Sequence, residues 1–298
     1  MRSTLAAIAI TALATVSYST LALAAPSANE VLVANKAATG IAVKPTVKIE
    51  YAYSGQGMTG KVTSLNDLKS GSWVDDAVIG PATQTQGFDG AHAWSKDPSG
   101  AVTLQDGGDM RALAVNEGYR RANLWWQPDR GGATVVSDGE KADGGNTYDV
   151  HTVTPRNGKN FDAWFDAKSH LLSRVVEMQS TQTFTTTLSD YRAENGVQIP
   201  HKIHTGNGNA QYDQDMTATS VAFLPAQPAS AYTAPKVVLN DYAIANGAKE
   251  TTFPFHLYNN HIYADVKVNG KGPYQFIFDT GGVNLLTPPL TKELGLSA

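Results

Sequence analysis

The acid with the most chemical promise is Asp279, in the stretch Phe276 to Thr287 that reads FIFDTGGVNLLT. An apolar run, Tyr274 to Phe278, leads straight into it, and Thr280, Gly281 and Gly282 follow. Upstream, Ile262 to Val268 alternates as a strand does, and Asn269 to Pro273 has the residues of a turn. Downstream, Val283 to Leu286 returns apolar and the prolines of PPLTKELGL can begin a helix. A loop that carries Asp out of a buried strand, with glycines freeing the backbone, can present a carboxylate for proton transfer. The competing reading is a structural Asp in a strand turn.

Other chemistry finds less to work with. His201 and His204 sit three apart in PHKIH, a spacing that on a strand sends them to opposite faces. No third ligand lies at a recognisable spacing, so no metal is expected. His256 and His261 read as turn and strand-entry residues. Arg120-Arg121 and Trp125-Trp126 fit either a ligand mouth or a snorkelling helix face beside a core edge. There is no GxSxG-type elbow for a serine nucleophile. The glycine pairs Gly107-Gly108, Gly131-Gly132 and Gly144-Gly145 lack a phosphate-cradling pattern and read as turns. The chain has no Cys, which excludes a disulfide framework, a thiol nucleophile, a lipid-anchored cysteine and a thiolate zinc site. A net charge of -4 without charge blocks gives no footprint for nucleic acid or an anionic membrane.

These candidates need elements to position them. Residues 1–24 carry one early Arg, an apolar run and the triplet Ala22-Leu23-Ala24, the pattern of a signal peptide cleaved near Ala24/Ala25. The expected localisation is therefore export, to a periplasm. Residues 25–223 read as a β domain, an antiparallel meander with few helices. Its alternating runs are Val47 to Tyr53, Ala91 to Trp94, Tyr148 to Val153, Ala163 to Asp166, Leu172 to Met178, Phe184 to Leu188 and Met216 to Phe223. Asn157-Gly158, Asn195-Gly196, Asp89-Gly90 and Asp138-Gly139 supply tight-turn residues between them. Met110 to Trp126 is the better helix, interrupted near Gly118. The Pro- and Ala-rich residues 224–252 read as a linker, and residues 253–298 form the unit that carries Asp279.

Two resemblances follow from these residues. GFDGAHAWSKDPSG, YDVHTVTPRNGKNFDAWFDAKSHLLSRVVEM, TLSDYRAENGVQIPHKI and TATSVAFLP resemble the periplasmic outer-membrane lipoprotein carrier family. That resemblance implies an open antiparallel half-barrel with one or two helices, around a face that could hold an acyl chain or an apolar peptide. IYADVKVNGKGPYQFIFDTGGVNLLT resembles the retropepsin-like aspartic peptidases of the bacterial single-lobe kind. By that resemblance Asp279 is half of a catalytic dyad, Thr280 braces the loop and Gly281 lets substrate approach the backbone. The family usually has Ser or Ala where this chain has Gly282.

Two facing carboxylates share one proton, so that one activates water while the other polarises the peptide carbonyl. With one DTG, such a lobe must form a homodimer. The expected fold is thus mainly β, a half-barrel followed by a partial acid-protease lobe. The expected function is aspartic-type hydrolysis of a peptide or protein substrate without cofactor, inactive in the 298-residue form because the flap and a second strand would lie beyond Ala298. The alternative is a periplasmic carrier-like module that binds a lipid or peptide without catalysis.

Overall fold

A computed structural model describes residues 26–80, 82–236, 243–279 and 286–296. Residues 1–24, where a leader is expected, and Thr280, Gly281 and Gly282 lie outside the described residues.

The chain enters through helix α1, Ala28–Thr39, which residue alternation alone does not reveal. Its signal is local: the Ser27 hydroxyl accepts from the Glu30 amide, and the Glu30 carboxylate accepts from the Ser27 amide at 2.7 Å. This reciprocal box satisfies two amides that the first turn would otherwise leave unpaired. Six strands follow, β1 Thr46–Gly55, β2 Met58–Asp67, β3 Trp73–Ile79, β4 Ala82–Phe88, β5 Ala93–Lys96 and β6 Val102–Leu104. Helix α2, Gly108–Arg121, and a 3-10 turn at Leu124–Trp126 lead into seven more. These are β7 Thr134–Asp143, β8 Asn146–Thr154, β9 Phe161–Asp166, β10 Leu172–Gln179, β11 Gln182–Glu194, β12 Val197–Gly206 and β13 Gln214–Leu224.

Both sets are meanders, and pairing of β1 with β13 fuses them into one 13-stranded antiparallel sheet that ends at β6 on one side and β7 on the other. Those two edges do not pair, so the sheet is open, as the carrier resemblance implies. α2 carries the chain from one edge to the other.

The expected strands are present, usually longer than their apolar cores. The exception is Ala91 to Trp94. The Asp89 carboxylate accepts from the amides of Ala91 and His92 at 2.8 and 2.7 Å, which holds those residues in a turn and delays β5 to Ala93. The expected interruption at Gly118 is also corrected: α2 runs unbroken through it, and the break comes at Asn123, in the left-handed region at φ 48°.

Directly paired residues share a face, so the register defines an inner face that carries Val47, Ile49, Tyr51 and Tyr53 of β1. α1, α2 and the 3-10 turn pack on it. On the β7–β12 wing Val31, Leu32, Tyr119 and Trp125 close over Val153, Phe161, Ala163 and Phe165. On the β3–β5 wing Ala114 of α2 lies on Trp73, Phe88 and Ala93, and the Trp73 indole donates to the Ala114 carbonyl at 3.1 Å.

Packing of this unit extends past Leu224 into the Pro-rich stretch. Tyr232 is 3% exposed, packed with Val74 and Trp94 on the opposite face of the sheet, and its carbonyl accepts from the Trp94 indole at 2.8 Å.

A second, three-stranded sheet contains β14 Phe255–Tyr258, β15 His261–Val268 and β16 Lys271–Ile277, in the strand–turn–strand order expected. Helix α3, Pro288–Leu294, opens at the two prolines. It meets β16 through the Tyr274 hydroxyl, which donates to Glu293 at 2.7 Å.

Candidate functional site

The inner face holds two chemically different zones. The first lies under α2 and is charged. Glu117, Arg120 and Arg121 fall within one helical turn, a spacing that puts them side by side. The Arg121 guanidinium forks onto Asp75 of β3, with both nitrogen–oxygen distances at 2.8 Å. It also donates to the Ser64 hydroxyl and the Asn66 amide oxygen of β2, both at 3.0 Å, and to Glu117 at 2.6 Å. Arg120 pairs with the same Glu117 and, on the other wing, with Glu177 of β10 at 3.0 Å. A continuous chain of charge, Asp75–Arg121–Glu117–Arg120–Glu177, therefore bridges both wings through one helix.

Aromatic faces support both cations. Arg121 lies 4.7 Å from the Trp73 ring centroid and Arg120 lies 5.2 Å from that of Phe161. Burial works against a charged Glu117, but Arg121 and Arg120 outweigh it and hold its carboxyl at about 2. Asn116, fully buried, donates to Glu177 at 3.2 Å and accepts from the Lys159 amide at 3.1 Å, adding a neutral tie to the β8–β9 loop. Each charge is matched and held, so this zone has no free acid or base to offer a reaction. It is a fastening. Arg120 and Arg121 are thus neither a ligand mouth nor a snorkelling face.

The second zone is apolar and lies farther along the strands. The register aligns Ile79, Gly60, Tyr53, Met216, Ile203 and Leu188 in one rung across β3, β2, β1, β13, β12 and β11. Ile79, Met216, Ile203 and Leu188 are only partly buried, and Gly60 adds no side chain. Neighbours on the opposite face, Ser54, Lys202 and Asp215, are exposed and polar. The strands thus alternate in the way a half-buried sheet demands, but apart from Tyr53, itself buried, the inner side of this rung is not sealed as it is at Val47 and Ile49, which are 4% and 6% exposed. This surface suits contact with an aliphatic or aromatic group.

The sequence-derived candidates fall elsewhere. Asp279 follows β16 at an exposed position. The strand leading into it is not buried as its composition suggests, since Ile277 and Phe278 are 52% and 55% exposed. Among the described residues of β14–β16 only Ala264 is buried, because one small sheet with a single short helix has little to cover it. A facing pair of carboxylate loops is not assembled among the described residues. His201 and His204 do point to opposite faces: His201 is 6% exposed and faces Glu194 at 3.0 Å, while His204 is exposed and faces Asp215 at 2.9 Å. His256 lies within β14, one residue past its start, and His261 begins β15. Among the described residues no cluster of His, Asp and Glu could hold a metal, and no helix is long and apolar enough to cross a membrane.

No family model matches the chain, and no curated protein does. Among solved structures, the chain is similar to a LolA superfamily protein from Nitrosomonas europaea, at 12% identity and a TM-score of 0.49 over 70% of this chain and 98% of that one. It is also similar to a DUF1329 family protein from Desulfovibrio piger, at 10% identity and a TM-score of 0.46, over 69% of this chain and 96% of that one. A third is a domain described as an outer membrane lipoprotein-sorting protein from Vibrio parahaemolyticus, at 11% identity and a TM-score of 0.44, over 68% of this chain and 94% of that one.

Proposed function

We propose that this chain is a carrier-like binding module for an apolar ligand, an acyl chain or an apolar peptide, working after export to a periplasm. The observation that carries the reading is the set of partly open apolar positions Ile79, Met216, Ile203 and Leu188 in one rung of the inner face. Apolar surface left open at the centre of a sheet is costly in water, at roughly 25 cal/mol per Å², and a bound apolar group removes that cost. The fastening under α2 gives the surface a fixed wall, which lowers the ordering penalty of binding. The leader-like residues 1–24 support export.

Peptide hydrolysis at Asp279 has no comparable support, given an exposed carboxylate beyond an exposed strand. Native mass spectrometry of the exported full chain separates the two readings. An apolar species released by organic solvent is the expected result. A ligand-free mass together with pepstatin-sensitive cleavage of a mixed peptide library would reverse the assignment.

A further inference from the structure

Away from the apolar rung, a cleft of about 210 Å³ opens between α2, the β2–β3 turn and the β8–β9 loop. Arg111 of α2 and Arg156 of the β8–β9 loop both line it, with an apolar wall from Phe88, Val115, Tyr119 and Leu124. Neither arginine pairs with a carboxylate among the described residues. Arg111 donates from Nε to the Ala91 carbonyl at 2.9 Å, and among the described residues its terminal nitrogens have no hydrogen-bond acceptor. The guanidinium of Arg156 lies across Gly132, at φ 76°, where an added Cβ would sit 3.1 Å from its Nε. The acids nearest Arg111 in sequence make their close contacts elsewhere, Asp106 with His92 at 2.6 Å and Asp109 with Lys159 at 2.8 Å, although the Arg111 charge also acts on Asp106.

This contrasts with Arg120 and Arg121 on the same helix, where every guanidinium is matched by acid. Two cations that line one cleft, neither in contact with a carboxylate among the described residues, repel each other, and an oxyanion between them removes the repulsion. Guanidinium forks fit the planar carboxylate and the phosphate group. The apolar wall favours an anion that carries a hydrophobic substituent. The volume is below the roughly 300–1,000 Å³ typical of drug-sized ligands, which suits a single ring and its charged group and excludes a long chain lying inside.

We infer that this cleft is a binding site for a small organic oxyanion, a carboxylate or phosphate monoester with one apolar group, held by Arg111 and Arg156. The site is separate from the rung on the inner face and stands whether or not that surface binds a lipid.

Calorimetric titration of the full mature chain with benzoate, phenyl phosphate, inorganic phosphate and benzamide tests it. Saturable binding of benzoate or phenyl phosphate is expected, and which of the two binds more tightly identifies the anion. Inorganic phosphate should bind at least about tenfold more weakly, and neutral benzamide should not bind, because one lacks the apolar contact and the other the charge. Arg156→Gln, at an exposed position, and Arg111→Gln should each weaken the aromatic anion by about tenfold or more. Absence of saturable binding by both aromatic anions would overturn the inference. So would benzamide binding as tightly as benzoate, or unchanged affinity in both variants.

Discussion

Gly118 of α2 and Gly71 of the β2–β3 turn meet backbone to backbone, so closely that a Cβ on Gly118 would overlap the Gly71 carbonyl oxygen. Gly71 itself sits at φ 76°. The contact lets α2 sink far enough for Arg121 to reach Asp75. Gly118→Ala should therefore destabilise the protein although alanine favours helix by about 1 kcal/mol. Overpacking at this crossing should outweigh that gain and leave a net loss of about 1–2 kcal/mol. Urea unfolding measures it, and a rise in midpoint would show that the crossing has slack.

The charge chain predicts an acid-side loss of stability. The Glu117 carboxyl has a folded value of about 2 against an ordinary 4.5, so the native state favours its charged form. That contribution is complete above about pH 4.5 and disappears as pH falls toward about 2. Glu117→Gln should cost about 2 kcal/mol at neutral pH, below the full penalty for a buried pair because its side chain is 33% exposed. It should also flatten the pH dependence in that window. Denaturant melts of both proteins across the window decide this; parallel curves would place the acid limb elsewhere.

His151 should act in a different window. It is 1% exposed, its ring centroid lies 5.9 Å from that of Phe165, and burial pushes its imidazole below 6.5 against the opposing pull of Asp138. The folded state prefers the neutral ring, so stability is complete above about pH 6.5 and declines as the pH falls below it. His151→Leu, close in volume and without a charge to gain, should remove this decline while leaving the Glu117 limb in place. Thermal melting between neutral and mildly acidic pH reads the difference, and an unchanged slope would clear His151 of the effect.

Tyr232 lies in a stretch whose composition reads as linker, yet it seals Trp94 and Val74. Tyr232→Ala should cost about 3 kcal/mol, as truncation of a buried aromatic does, and should change the environment of the Trp94 indole. A melting temperature and tryptophan emission matching the wild type would show the stretch to be detachable.

The β strands were legible because alternation is a backbone property: a run such as Phe161–Asp166 announces its buried face through Phe161, Ala163 and Phe165 alone. What composition hides is contact between distant residues. Gly118 reads as a helix breaker until Gly71 is seen beneath it, and Arg120-Arg121 reads as a ligand mouth or a snorkelling face until Asp75 and Glu177 are known to face it from two wings. The Ser27–Glu30 pair was a local signal for α1 that the apolar pattern around it obscured. The apolar rung joins six strands and depends on a register that one-residue alternation cannot supply. Asp279 shows the converse: FIF before an acid suggests a buried strand, whereas the small sheet leaves Ile277 and Phe278 exposed.

The most direct test of the binding reading is titration of the mature chain with a fluorescent long-chain fatty acid, comparing wild type with Ile203→Glu and Lys202→Glu. These neighbours lie on opposite faces of β12, so one places a charge in the rung and the other leaves it untouched. Saturable one-to-one binding is predicted, weakened by at least about tenfold in Ile203→Glu, consistent with a charge set in apolar surroundings, and preserved in Lys202→Glu. Absence of saturable binding to the wild type, or equal affinity in both variants, would contradict the assignment of the inner face as the ligand surface.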